Sequence, residues 1–305
     1  MNINALKIGV LCGGFSNERE ISLRGAKAIN EELISKNIDS KLIDIKNQRD
    51  MLKAKTYSNL DFAFVMIHGK GGEDGSIQKI LSELNIPFSG SGISGLKNSF
   101  DKVITKEIWL KNKINTPKYT SEISSWTDLP NSLKEVPKLV VKPSKEGSSL
   151  GVSIIENNSK NLTEAINFAS EYEGVPIIEE FISGRELTVS ILGNLICDPI
   201  EIIAKEEFYN FEAKYNRGDT SYSFPEFKKN KLKDLKNLAK NAFTLLDCEK
   251  WGRVDLIEKE DSFYFIEANT VPGMTETSLV PKAAKREGLS FFDLIEKIIL
   301  DSIDN

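Results

Sequence analysis

Cysteine is scarce in this 305-residue chain. Cys12, Cys197 and Cys248 are odd in number and form no metal-type spacing, which points to free thiols in a reducing cytosol and not to a disulfide framework. Histidine occurs once, as His68. No uninterrupted apolar run approaches the roughly 20 residues that span a bilayer. Lys7 and the first glycines interrupt any apolar stretch near the N-terminus, so no signal peptide is expected. Neither sign of charge dominates, and a net charge of -5 gives no electrostatic reason for nucleic acid or an anionic membrane as partner. Both G-x-G-x-x-G and G-x-x-x-x-G-K-[ST] are missing, which removes the dinucleotide fingerprint of dehydrogenases and the Walker loop. Internal repeats and low-complexity segments are missing too. What is left is an ordinary globular composition, 40% hydrophobic and 28% charged, in a chain long enough for two or three domains and expected in the cytoplasm.

The chain begins in α/β style. Residues 7–12 read as a short buried strand running into Gly13 and Gly14, after which Ala26, Ile29 and Leu33 keep helical spacing. Glu18 falls at the start of that helix, where a carboxylate suits the dipole, so helix capping and a functional role both stand open. Residues 40–45 and 61–67 read as further buried strands. The second ends in His68 and a glycine loop, followed by Ile77, Ile80, Leu81 and Leu84 on one helical face. Strand, glycine loop and helix recur, which predicts a parallel sheet with ligands beyond the carboxyl ends of its strands.

A charged helix with Ser99 as N-cap follows, placing Lys102 in its first turn, where a cation gains nothing from the dipole and asks for an anionic partner. Residues 138–155 read as strand, loop and strand. Lys142 ends the first strand, and Gly147, Ser148, Ser149 and Gly151 make a small-residue loop able to close over phosphates, although an exposed Gly/Ser hairpin is commonplace. A helix near 161–172 and a strand at 176–182 complete a small α+β unit. Beyond two further strands, residues 208–225 have no regular pattern and fit an active-site lid, with three tyrosines, Lys214 and Arg217 inside it. Helices near 230–246 and through Phe291, Leu294, Ile295 and Ile298 flank the final strands.

Residues 251–275 carry the densest chemistry. Arg253 and Asp255 share one strand face, as do Glu267 and Asn269 on the next strand, while Val254, Leu256, Tyr264, Ile266 and Ala268 form the apolar side. Asp255 stands opposite Glu267 if the hairpin loop holds an odd number of residues; Lys259 to Phe263 and Glu260 to Ser262 both qualify. Two carboxylates and an amide oxygen on one face suit Mg²⁺, which prefers hard oxygen ligands. A solvated sheet face is the alternative.

Taken together, GGFSNEREISL, HGKGGEDGSIQ, PFSGSG with FDK, VKPSKEGSSLGVS, EEFISGRELTV, FYNFEAKY, WGRVDLIE and FIEANTVPGMTETSLVPKAA resemble the D-alanine:D-alanine ligases of the ATP-grasp superfamily over nearly the whole chain. The resemblance implies an N-terminal parallel-sheet α/β domain (1–96) followed by a two-domain ATP-grasp fold of mixed α/β and α+β type, its halves at 97–183 and 184–305 with an active-site loop at 206–225. It implies ATP as substrate, held by Lys102 and Lys142 at the phosphates, Glu179, Glu180, Phe181 and Ile182 at adenine, Glu186 at ribose, Ser148 over the phosphates, and Lys214 reaching the γ-phosphate. Two Mg²⁺ or Mn²⁺ ions would sit on Asp255, Glu267 and Asn269. Two D-alanines would be joined through an acyl phosphate for peptidoglycan synthesis. Glu18, held with Ser148 and Tyr215, would take the first ammonium, and His68 would lie near the first carboxylate. Arg253 and the Gly273 N–H would stabilise the oxyanion, with Ser278 and Leu279 on the second substrate. Tyr215 favours the dipeptide over D-alanyl-D-lactate; D-lactate or D-serine as acceptor is the alternative. A homodimer is implied. Gly25 in place of serine and Phe100 in place of methionine depart from the pattern, along with the missing SAL-type stretch.

Overall fold

The structure, a computed structural model, describes residues 3–203 and 220–303. It opens with β1 (Ile8–Gly13), α1 (Arg19–Ser35), β2 (Ser40–Ile45), the single turn α2 (Gln48–Met51), β3 (Phe62–Val65) and α3 (Ser76–Glu83). The strands pair in parallel in the order β2-β1-β3, as strands joined by crossovers must. Every residue of β1 is buried, which explains its unbroken apolar run. Helices α4 (Ile93–Phe100) and α5 (Lys102–Lys111) lead onward.

A second unit holds β4 (Tyr119–Ser121), α6 (Asn131–Lys134), β5 (Lys138–Pro143), β6 (Ser153–Glu156), α7 (Ser159–Ala169) and β7 (Pro176–Glu180), with the antiparallel strand order β4-β7-β5-β6. The apolar side of α7, Leu162, Ala165, Ile166 and Ala169, closes its core against Leu139, Val141 and Ile178. The last unit comprises β8 (Arg185–Leu192), β9 (Leu195–Ile196), β10 (Ile200–Ile203), β11 (Ser221–Ser223), α8 (Lys229–Thr244), β12 (Trp251–Lys259), β13 (Ser262–Asn269), α9 (Leu279–Arg286) and α10 (Phe291–Ile303). Its sheet runs β11-β10-β8-β12-β13, with β9 on β8. One core joins the first unit to the last, since Trp251, Met274, Leu294, Ile295 and Ile298 pack with Val10, Ala26, Ile29 and Phe64.

The sequence reading is corrected in three places. Ser99 does not cap a helix. It lies in the last turn of α4, where its hydroxyl donates back to the Gly95 carbonyl at 2.8 Å, and Asp101 caps α5 by accepting from the Val103 N–H. The predicted irregular stretch 208–225 contains a strand, because Ser221–Ser223 pairs with β10; residues 206–219 of that loop lie outside the described residues.

The hairpin is the third. Its loop is the pair Glu260 and Asp261, not an odd number, yet Asp255 still stands opposite Glu267. A β-bulge reconciles the two. The register shifts between Asp255 and Leu256, leaving Ile266 without an opposite residue, and the extra residue restores the parity that the short turn lacks. Beyond the bulge the faces exchange, so Phe263 and Phe265 enter the core with Val254 and Leu256 in place of the predicted Tyr264 and Ile266.

Candidate active site

The charged face of β12 and β13 forms one wall of a cleft. Arg253 pairs across the ladder with Asn269 and Asp255 with Glu267, which puts all four side chains on one side of the sheet. The Arg253 Nη1 donates to Asp255 Oδ1 at 2.9 Å, and the Lys102 ammonium lies 3.6 Å from Glu267 Oε2. Asn269 Oδ1 is buried without a hydrogen-bond donor among the described residues. Three hard oxygen donors therefore converge beside cations, and an orphaned amide oxygen is included. That set fits Mg²⁺, with phosphate oxygens completing its coordination.

The second wall comes from the antiparallel sheet of the second unit. A cavity of about 480 Å³ lies between the walls, lined by Lys102, Lys142, Gly147, Ser148, Glu179, Glu180, Phe181, Ile182, Glu186, Asp255, Ile266 and Glu267 among others. Every described residue assigned to ATP is in that lining, and so is the bulge residue Ile266. Lys142 is the last residue but one of β5, with its ammonium 2.9 Å from Glu179 Oε1. Lys102 is fixed by the Glu146 carbonyl at 2.6 Å.

The Gly/Ser loop caps this cavity in a strained conformation. Ser148 and Ser149 both hold positive φ, +51° and +60°, a costly state for non-glycine residues that tends to mark functional loops. A Cβ on Gly147 would come within 2.9 Å of Glu18 Oε2, so only glycine lets the loop approach that carboxylate. The Ser148 hydroxyl donates to Glu18 Oε1. Glu18 makes no side-chain cap to α1, so the capping alternative gives way: the carboxylate turns from its own helix to the loop.

A smaller, more polar cavity adjoins the first and shares Lys102, Glu146, Gly147, Ser148 and Glu267 with it. Its other walls include Glu18, His68, Glu73, Phe100, Arg253, Asn269 and Gly273. His68 Nδ1 lies 3.7 Å from Glu73 Oε1, and Nε2 has no partner among the described residues. Burial opposes the imidazolium, but Glu73 and Glu18 outweigh it and hold the pKa above that of an ordinary histidine. Glu73 is itself pinned by the Gly69 N–H at 3.2 Å.

Ser278 and Leu279 are not walls of either cavity. Ser278 reaches the site through Gly273, whose Cβ position is 3.0 Å from its hydroxyl. The hydroxyl accepts from the Thr275 N–H at 3.1 Å and leaves the first turn of α9, which Leu279 begins, without a side-chain cap. Such an uncapped N-terminus suits a carboxylate. Lys214 and Tyr215 lie outside the described residues. Sequence reasoning missed Glu73, Glu146 and Lys106. Glu73 carried the only signal, as a carboxylate in the glycine loop directly after the lone histidine.

Paired carboxylates on one antiparallel sheet, lysines and a Gly/Ser loop on another, and a parallel-sheet unit at the mouth define a nucleotide-using enzyme of the ATP-grasp class. Residues 102–300 match the family model described as D-ala D-ala ligase C-terminus, and residues 49–91 that described as D-ala D-ala ligase N-terminus. The D-alanine--D-alanine ligase of Carboxydothermus hydrogenoformans is 38% identical over 97% of both chains, and that of Buchnera aphidicola 41% identical over 96% of this chain and 98% of the other. Among solved structures, the ligase of Bacillus anthracis superposes with a TM-score of 0.85 at 30% identity, and its ATP complex with 0.84 at 28%, each covering 98% of both chains. The chain belongs to the D-alanine–D-alanine ligase family.

Proposed function

We propose that this protein joins two D-alanines into D-alanyl-D-alanine, with ATP converted to ADP and phosphate, for peptidoglycan precursor synthesis. The reading is carried by the junction of the two cavities at Lys102, Ser148 and Glu267, where the phosphate end of a nucleotide would meet a small zwitterionic substrate.

A carboxylate oxygen of the first D-alanine attacks the γ-phosphorus, the bond to the β-phosphate oxygen breaks, and ADP leaves with an acyl phosphate behind. The unprotonated amine of the second D-alanine then attacks the carbonyl carbon. The tetrahedral intermediate collapses with loss of phosphate and the amine proton, forming the amide. Glu18 takes the first ammonium, His68 faces the first carboxylate, and Arg253 with the Gly273 N–H stabilises the oxyanion as preorganised donors. Lys102 and Lys142 hold phosphates, Glu179 to Ile182 the adenine and Glu186 the ribose. Ser278 and the Leu279 N–H take the second carboxylate. Lys214 would reach the γ-phosphate and Tyr215 would join Glu18 and Ser148, where exclusion of water protects the acyl phosphate. Asp255, Glu267 and Asn269 would hold Mg²⁺ or Mn²⁺, two ions in all, which when bound neutralise phosphate charge during transfer. The proposed assembly is a homodimer, in the cytoplasm.

The test is ADP release coupled to product identification by mass. Turnover should require D-alanine, and equal rates with L-alanine would sink the assignment. D-lactate or D-serine products would move the reading to a depsipeptide or mixed-dipeptide ligase. Asp255→Asn and Glu267→Gln should each lower kcat by about 10³-fold or more, several kcal/mol of charge stabilisation being at stake. Melting temperatures should change little. Wild-type rates in both variants would remove the metal assignment.

A further inference from the structure

Lys106 lies one helical turn beyond Lys102 on α5, so the two share a face of the helix. The helix is anchored by Trp109, whose indole N–H donates to the Ala242 carbonyl at 2.8 Å and whose ring meets Phe265 edge-on. Lys106 is 0% exposed, yet it lines neither cavity. Its ammonium donates to Thr116 Oγ1 at 2.6 Å, sits 5.5 Å from the centre of the Tyr119 ring, and lies 3.1 Å from Glu179 Oε1. That same oxygen is 2.9 Å from the ammonium of Lys142. Two buried cations thus converge on one atom of a carboxylate that is 2% exposed.

Space-filling does not account for this. Taking a charge out of water is costly, and an apolar side chain of similar volume would pack α5 without that cost. The charge count does account for it. Glu179 with Lys142 alone would be a neutral pair, its cation committed to its own carboxylate. With Lys106 present the trio carries a net positive charge beside the nucleotide cavity.

We infer that Lys106 is a positioning residue of the nucleotide site, holding Glu179 from behind and so leaving Lys142 with uncommitted charge for the ATP phosphates. The inference rests on the assignment of the larger cavity to ATP. Burial pushes the Lys106 amine down to about 8, with Glu179 resisting, while the two lysines overcome burial to hold the Glu179 carboxyl below its usual range. The arrangement therefore keeps Glu179 ionised without help from ligand.

Lys106→Met removes the charge at nearly constant volume. The KM for ATP should rise about tenfold or more, with kcat at saturating ATP within about threefold and both D-alanine KM values unchanged, the pattern of lost uniform binding. In a Glu179→Gln background the same substitution should have much less effect, because the lysine acts through that carboxylate. A folded Lys106→Met enzyme with unchanged KM for ATP, or full additivity in the double variant, overturns the inference. Lys106→Gln, which keeps a donor for Thr116, serves the same assay should the methionine variant not fold; failure of both to fold assigns Lys106 to folding alone and also overturns it. Lys142→Met separates the premise from the inference. If it too leaves the KM for ATP unchanged, the cavity assignment is wrong; if only Lys106→Met is silent, the cavity stands and the positioning role falls.

Discussion

His68 can be observed directly because it is the chain's one histidine. In tag-free protein a single imidazole resonance should titrate with a midpoint above the ordinary value of about 6.5. The direction follows from the two carboxylates near it, Glu73 and Glu18, winning over burial. A raised folded-state pKa means that the charged ring stabilises the fold fully below about pH 6.5, and that this contribution is lost as pH rises through the folded value. Glu73→Gln should lower the NMR midpoint and flatten that loss of stability. A midpoint below 6.5 in the unaltered protein would show that burial prevails and that the ring stays neutral beside the substrate. The placement of His68, Asp255 and Glu267 was legible in the sequence because each stands at a strand end or on an alternating face. Lys106 was not. A lysine on a charged helix reads as solvated, and only the three-dimensional approach of Thr116 and Glu179 reveals its burial.

The β12–β13 hairpin shows why elements are harder to read than residues. Alternation correctly paired Asp255 with Glu267, but parity assumed a regular ladder. The bulge at Ile266 and the short turn are two departures that cancel at the site, and no periodicity announces a bulge. The same cancellation misplaced the core face beyond it, since Phe265 rather than Ile266 turns inward. The turn also bears a conformational cost, because Glu260 has φ of +55°. An L-residue in that region costs roughly 1–2 kcal/mol that glycine avoids, partly offset by glycine's greater freedom in the unfolded chain. Glu260→Gly should therefore raise the melting temperature by about 1–3 °C while leaving ADP release unchanged, as the side chain is exposed and lines neither cavity. A lowered melting temperature would mean that the left-handed backbone at Glu260 is unstrained.

At the scale of the whole molecule, the sheets differ in how self-sufficient they are. The second unit closes its own core, since the buried apolar residues of that cluster all fall between Leu129 and Ile178. The first does not. One face of its parallel sheet is closed by α3 with Ile77 and Leu81, but the other shares its core with the last unit, where Phe64 meets Trp251 at 6.0 Å between ring centres and α1 touches α10. Neither fact could be read from periodicity, because an apolar stripe records that a face is covered and not which segment covers it. Expressed separately, residues 117–183 should give a small but cooperative thermal transition, marginal in stability as expected for so short a chain. Residues 1–96 should bind a hydrophobic dye and melt without a cooperative transition, because the surface left by Trp251, Met274, Leu294 and Ile298 is apolar and uncovered. A sharp transition without dye binding in the 1–96 fragment would show that its core is complete. The shared core would then be a docking contact, and the cleft walls would be free to move as separate bodies. If the fragment melts without a cooperative transition, the mouth of the smaller cavity, from Glu18 to His68, is held to Arg253 and Gly273 by one continuous core. Opening of the site must then come from the second unit, which carries the Gly/Ser loop proposed to cover the phosphates.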